Sequence, residues 1–130
     1  MTDDELLDAA RTVRDLAYCP YSNFRVGAAI IDENGNVHVG CNVENAAYPQ
    51  GSCAETGAIA AMVAEGGQRI VTIAVAGGGT KRTGACTPCG GCRQRIHEFS
   101  DKDTRIIVKD DDGDWHTYTM SDLLPSSFHL

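Results

Sequence analysis

Six cysteines stand at positions 19, 41, 53, 86, 89 and 92 of this 130-residue chain, three of them within one short segment. Cys86-Thr87-Pro88-Cys89-Gly90-Gly91-Cys92 offers two overlapping C-x-x-C pairs, and four chemistries compete for them. A redox dithiol would use the lowered thiol pKa of such a pair at a helix N-terminus. An iron–sulfur site begins with the same spacing, but Ile96 stands where its fourth cysteine belongs. A closed structural zinc site would add Cys53 to the three; a catalytic zinc site would use three thiolates and keep one position open. The choice turns on Cys53-Ala54-Glu55, which opens a helix of its own. Cys89 and Cys92 are three apart, so on a helix they share a face, and the positive ends of two helices stabilise thiolate charge. Two such helix starts, expected to follow adjacent strands, can direct Cys53, Cys89 and Cys92 at one metal ion per chain. Glu55 would lie beside the open position without being a ligand. Cys19, Cys41 and Cys86 are expected to be small buried hydrophobes.

The elements that must position these residues can be read from pattern. Thr2 and Glu5 form a capping box, and Leu6, Leu7, Ala10, Val13, Arg14 and Ala17 recur at helical spacing, so a first helix should run to about Tyr18, before Pro20. Segments 24–31 and 37–43 are rich in β-formers and flank Asn34-Gly35, which predicts an antiparallel hairpin with a tight turn. An Ala-rich helix should span 53–65 and stop at Gly66-Gly67. A strand at 70–76 leads through a glycine-rich loop to a helix opening near Pro88 and running to about Phe99. Strands at 104–108 and 115–119 are joined by the polar turn 109–114, and a short helix runs from Ser121 to Pro125. Strands alternating with helices predict an α/β fold: one mixed five-stranded sheet flanked by helices, in a single domain over 1–130.

Composition excludes several classes. Eleven Lys and Arg against eighteen Asp and Glu give a net charge of −7, which repels a phosphate backbone, and no basic cluster exceeds Lys81-Arg82, so nucleic acid is not expected as a partner. The longest apolar run, 58–64, is too short to cross a bilayer. The acidic start, Thr2-Asp3-Asp4-Glu5, is unlike a basic targeting segment, so the expected compartment is the reducing cytoplasm, where clustered cysteines bind metal more often than they form disulfides. Gly79-x4-Gly84 has the glycines of a phosphate loop, but Ala85 stands where lysine is required.

Cys53-Ala54-Glu55 followed by Pro88-Cys89-Gly90-Gly91-Cys92 matches the zinc deaminase signature, His/Cys-x-Glu then Pro-Cys-x-x-Cys. Further segments occur in order: Tyr21-Ser22-Asn23-Phe24-Arg25-Val26-Gly27-Ala28-Ala29, then Gly40-Cys41-Asn42-Val43-Glu44-Asn45-Ala46-Ala47-Tyr48-Pro49, then Leu123-Leu124-Pro125. Over nearly its whole length the chain thus resembles the cytidine deaminase family, in its short homotetrameric class. The resemblance implies hydrolysis of cytidine or deoxycytidine to uridine or deoxyuridine and ammonia, a step of pyrimidine salvage. It implies attack at C4 by zinc-bound hydroxide with Glu55 as proton shuttle. It further implies that Asn42 and Glu44 bind the ribose 3′-hydroxyl, that Phe24 packs on the base, and that the Ala54 N–H reads the pyrimidine carbonyl. Tyr48 and Phe128 would close the pocket, Phe128 from a neighbouring subunit of a homotetramer.

The family commonly carries arginine directly after the catalytic glutamate; here that position is Thr56. This departure predicts a less acidic zinc-bound water, or compensation by Arg93 or Arg95. Two rivals remain: blasticidin S-type deamination, against which Asn42-Val43-Glu44-Asn45 favours a ribose, and a non-catalytic structural zinc or redox protein. Deaminases of tRNA and DNA place a helix between their last two principal strands, whereas the short 109–114 segment forces a hairpin. Histidines 38, 97, 116 and 129 have no assigned part.

Overall fold

The computed structural model describes residues 1–78, 86–109 and 114–130. The proposed glycine loop at 79–84 with Ala85, the Lys81-Arg82 pair and the tip of the 109–114 turn lie outside the described residues. The elements follow in the expected order: α1 (Asp3–Arg14), β1 (Arg25–Asp32), β2 (Val37–Cys41), α2 (Ala54–Ala64), β3 (Ile70–Gly78), α3 (Gly90–Glu98), β4 (Arg105–Lys109), β5 (Trp115–Tyr118) and α4 (Met120–Leu123). Five strands form one sheet in the order β2-β1-β3-β4-β5. β1 is antiparallel to both β2 and β3, β3 is parallel to β4 with α3 as the crossover, and β4 and β5 form the expected antiparallel pair.

Alternation along the strands builds two cores. On one face Ala29, Ala74, Ala76 and Ile107 meet Leu6, Leu7 and Ala10 of α1. On the other, Ile30, Ile73, Val75, Ile106 and Val108 pack against Ala58 and Met62 of α2, Ile96 of α3, and Met120 and Leu123 of α4. β3 is covered on both sides, which accounts for its nearly unbroken apolar sequence. Gly40 sets how close α2 lies: a Cβ there would come within 2.3 Å of the Ala58 nitrogen and 2.6 Å of the Ala54 carbonyl oxygen. Helix and strand therefore meet backbone to backbone.

The β1–β2 turn uses Gly35 at φ 82°. It is tied by Asp32, whose Oδ1 accepts the N–H groups of Asn34 at 2.9 Å and Asn36 at 3.0 Å. The other carboxylate oxygen lies 2.7 Å from His38 Nε2, and both side chains are buried. His38, left without a role by sequence, is thus a core partner of the hairpin.

Two expectations need correction. The first helix ends at Arg14 rather than near Tyr18. Tyr18 has left the helix to donate its N–H to the Asn42 carbonyl and accept from the Glu44 N–H, while Arg25 donates to the carbonyls of Asp15 and Ala17. These tertiary bonds compete for groups that helical periodicity alone would assign to the helix. Nor do the two cysteine-bearing helices follow adjacent strands, because β1 lies between β2 and β3. Both neighbours are antiparallel to β1, so β2 and β3 run the same way and end at the same edge of the sheet. The start of β1 enters between them, with Gly27 opposite Cys41 and Arg25 opposite Gly78.

Candidate metal centre and active-site cleft

At that shared edge a cleft of about 390 Å³ opens over the ends of β2 and β3, a size suited to a small ligand. Its metal-facing wall comes from two helix starts. Cys53 is the N-cap of α2 and Cys89 the N-cap of α3, neither in a side-chain capping bond. Both sulfurs stand at helix starts, whose positive ends favour thiolate. Cys92 follows within the first turn of α3 and is fully buried. The Sγ atoms of Cys53, Cys89 and Cys92 lie within 4.8 Å of one another. All six cysteines are free thiols. A compact set of three sulfur donors fits zinc, which takes thiolate readily and needs no preset d-electron geometry. Among the described residues the other three cysteines do not join the cluster. Cys19 is buried as expected; Cys41 and Cys86 are only half-buried, and Cys86 both packs against the edge of the core and lines the cleft.

Hydrogen bonding from Cys92 and then Cys89 holds the Cys53 thiol below its ordinary value, aided by the Arg95 charge. The same contact with Cys53, together with burial, pushes Cys92 up. Glu55, in the first turn of α2, is 4% exposed. Burial raises its pKa, and the neighbouring Cys53 charge adds to the effect. This is the environment in which a carboxyl can carry a proton near neutral pH.

The opposite wall carries the polar residues singled out in the sequence. Asn42 and Glu44 lie just beyond β2, which stops at Cys41, yet Val43 between them bridges to Tyr18 and Ser52 and keeps the backbone extended. Both therefore face the cleft, as alternation predicts. Asn42 Oδ1 accepts the Val26 N–H at 2.8 Å, and its Nδ2 donates to the Phe24 carbonyl at 2.9 Å. Its amide spans the start of β1 like an added peptide unit. Glu44 accepts from the N–H groups of Tyr21 at 2.9 Å and Ser22 at 3.1 Å, and from the Ser22 hydroxyl. Those donors, the hydroxyl first, hold its carboxyl below the usual range, so it stays ionised.

Phe24, Tyr48 and Ala54 complete the cleft. The Tyr48 ring packs edge-on to Tyr21, centroids 6.1 Å apart, and is 77% exposed at the rim. Phe128 is not on this wall. Gln94 of α3 holds its backbone through two bonds, Oε1 accepting the Phe128 N–H at 3.1 Å and Nε2 donating to its carbonyl at 2.9 Å. The ring is 60% exposed. Sequence reasoning missed Ser22, which orients Glu44, and Cys86 and Thr87, which line the cleft. Only the proximity of Ser22 to Phe24 within one motif pointed to it.

Three soft donors on two helix starts, with a buried carboxylate at hand and an ordered polar wall opposite, define a thiolate-metal hydrolase centre on an α/β/α sandwich. Residues 1–108 match the cytidine and deoxycytidylate deaminase zinc-binding region. The chain is 42% identical over 123 residues to the cytidine deaminase of Halalkalibacterium halodurans, covering 95% of this chain and 91% of that protein. It is 37% identical over 128 residues to that of Sporosarcina psychrophila, covering 98% and 92%. The crystal structure of cytidine deaminase from Burkholderia pseudomallei superposes with a TM-score of 0.88 at 40% identity, over 98% of this chain and all of that one. The Mycobacterium tuberculosis enzyme does so with 0.84 at 34% identity, over the whole of both chains. The chain belongs to the zinc-dependent cytidine and deoxycytidylate deaminase family.

Proposed function

We propose that this protein, working as one catalytic domain over residues 1–130, hydrolyses cytidine and deoxycytidine to uridine and deoxyuridine with release of ammonia. The observation that carries the reading is the placement of buried Glu55 beside Cys53, Cys89 and Cys92, across one cleft from Asn42 and Glu44. Those three cysteines would hold one zinc ion per chain, which when bound supplies the Lewis acidity that lets water act as nucleophile near neutral pH.

Glu55 takes a proton from the attacking water, delivers it to N3 of the ring, and carries a second to the amine leaving C4. Water and cytidine in, uridine and ammonia out, balance these transfers. The Ala54 N–H, at the first helical position of α2, has no partner within the helix and is suited to a pyrimidine carbonyl. Phe24 supports the face of the base, and Tyr48 narrows the mouth. Asn42 retains one amide proton and Glu44 its outer lone pairs for the ribose 3′-hydroxyl. The fixed carboxylate of Glu44 repels a 3′-phosphate, which with the charge of −7 favours free nucleosides over polynucleotides. The antiparallel β4–β5 pair supports the same choice over tRNA- and DNA-type deaminases.

Phe128 lies away from its own cleft, and the rim by Tyr48 is open. We take both as support for closure by Phe128 of a neighbouring subunit in a homotetramer. No helix of the described residues is long and apolar enough to cross a membrane, and six free thiols suit a cytoplasmic enzyme. An ultraviolet assay of the zinc-loaded protein with cytidine, deoxycytidine, cytosine, cytidine monophosphate and blasticidin S tests the proposal. Turnover of the two nucleosides, with little of the others, is expected; turnover of blasticidin S alone, or of nothing, overturns it.

A further inference from the structure

With zinc bound, three thiolate charges stand against a divalent ion, a net charge of −1 close to the Glu55 carboxyl. Of the three sulfurs Cys92 is the buried one, while Cys53 is half-buried and Cys89 exposed, so the charge on Cys92 most needs a nearby cation; the described residues near it offer two arginines. Arg93 is engaged elsewhere: its guanidinium donates to the carbonyls of Pro88 at 2.7 Å and Leu123 at 2.9 Å, tying α3 to α4. Arg95 differs. Its Nη1 donates to Cys92 Sγ at 3.8 Å, and among the described residues it makes no ion pair with a carboxylate, whereas Arg11, Arg14, Arg69 and Arg105 each do.

The surroundings make room for this contact. A Cβ on Gly91 would lie 3.1 Å from Arg95 Nη1, so the guanidinium rests across a position with no side chain. Thr56, directly after Glu55 on the facing helix, lines the same groove as Arg95. A short side chain there leaves space for the arginine of α3 to reach the sulfurs.

We propose that Arg95 is the charge-balancing residue of the metal centre, holding the zinc-loaded thiolates from α3 through Cys92. It touches neither substrate nor reacting atoms, so its role is positioning and electrostatic. The proposal rests on the zinc site assigned above, and its test does not need turnover. Zinc content of the protein as purified is measured first, then zinc retention against a competing chelator at near-neutral pH. Wild type, Arg95→Gln, Arg95→Lys, and Arg95→Gln combined with Thr56→Arg are compared. Arg95→Gln should lose retention by about tenfold, the lower end of what partners of metal ligands contribute. Both charge-restoring variants should recover most of it, and kcat should follow the same order with KM little changed. Wild-type retention in Arg95→Gln, or a loss that neither restoring variant repairs, overturns the role of Arg95 alone. Purified protein with no zinc, and none taken up, overturns the site assignment as well.

Discussion

Two carboxylates face one cleft, and their surroundings drive them apart. Glu55 is enclosed, so desolvation lifts its pKa above the ordinary 4.5 and suits it to exchange protons. Glu44 receives a hydroxyl and two backbone N–H groups, so it stays ionised and suits recognition. Glu55→Gln should therefore keep zinc while losing cytidine turnover by roughly 10²- to 10⁴-fold, the usual contribution of a general acid–base. Metal analysis alongside the ultraviolet assay checks it, and wild-type turnover by a zinc-loaded Gln variant would rule out the proton-carrier role. Much of this scale was legible in the chain itself. Cys53, Cys89, Cys92 and Glu55 stand in one compound motif, and the three sulfurs meet in the fold. The support given by Ser22 was not legible, because its N–H and hydroxyl reach Glu44 across 22 residues, a pairing that only the folded chain makes.

At the scale of elements, close approach decides where the chemistry sits. Gly40 lets α2 touch β2, and the N-terminal end of α2 carries Cys53, Ala54 and Glu55. Gly40→Ala should drive the helix off the strand and destabilise the fold by about 1–3 kcal/mol, the usual cost of overpacking. Urea unfolding of the variant measures this, and its zinc retention should fall in step; unchanged values in both would contradict the account. The β1–β2 hairpin gives a pH-dependent outcome. His38 first, then the turn N–H groups, hold Asp32 below its ordinary 3.8. A depressed carboxyl contributes stability that is present above the ordinary value and is lost as pH falls through the depressed one. Asp32→Asn should thus lower the melting temperature near neutral pH, with the gap to wild type closing below about pH 3.8. A gap that stays constant into acid would show that the ionised carboxyl is not what stabilises the turn. Element order and type followed from pattern, capping and turn chemistry. The end of α1 did not, because Tyr18 and Arg25 draw the chain out of the helix through partners far along the sequence.

For the whole molecule, the open rim and the displaced Phe128 bear on assembly. Gln94 anchors the tail to the metal-bearing helix and leaves the Phe128 ring facing outward. If a neighbour's Phe128 closes each cleft, Phe128→Ala should lose activity in the assembled enzyme, and Glu55→Gln should be inactive. Co-expressing the two should regain activity beyond the sum of the separate variants, since some clefts would combine an intact Glu55 with a donated Phe128. No gain in the mixed assemblies, with gel filtration showing that they form, would remove Phe128 from the neighbouring site.

The amino-acid sequence by itself determined the family and the succession of elements. Cysteine and glutamate spacing is local, capping and turns are local, and hydrophobic period reports which face of each element is buried. Only the tertiary structure decided how the two helix starts meet. Cys53 and Cys89 lie far apart in the chain and follow strands that are not neighbours; the antiparallel insertion of β1 brings both strand ends to one edge and Phe24 between them. It likewise decided which arginine reaches the sulfurs: helical position allowed Arg93 or Arg95, and the hold of Pro88 and Leu123 on one left the other free to lie over Gly91 against Cys92.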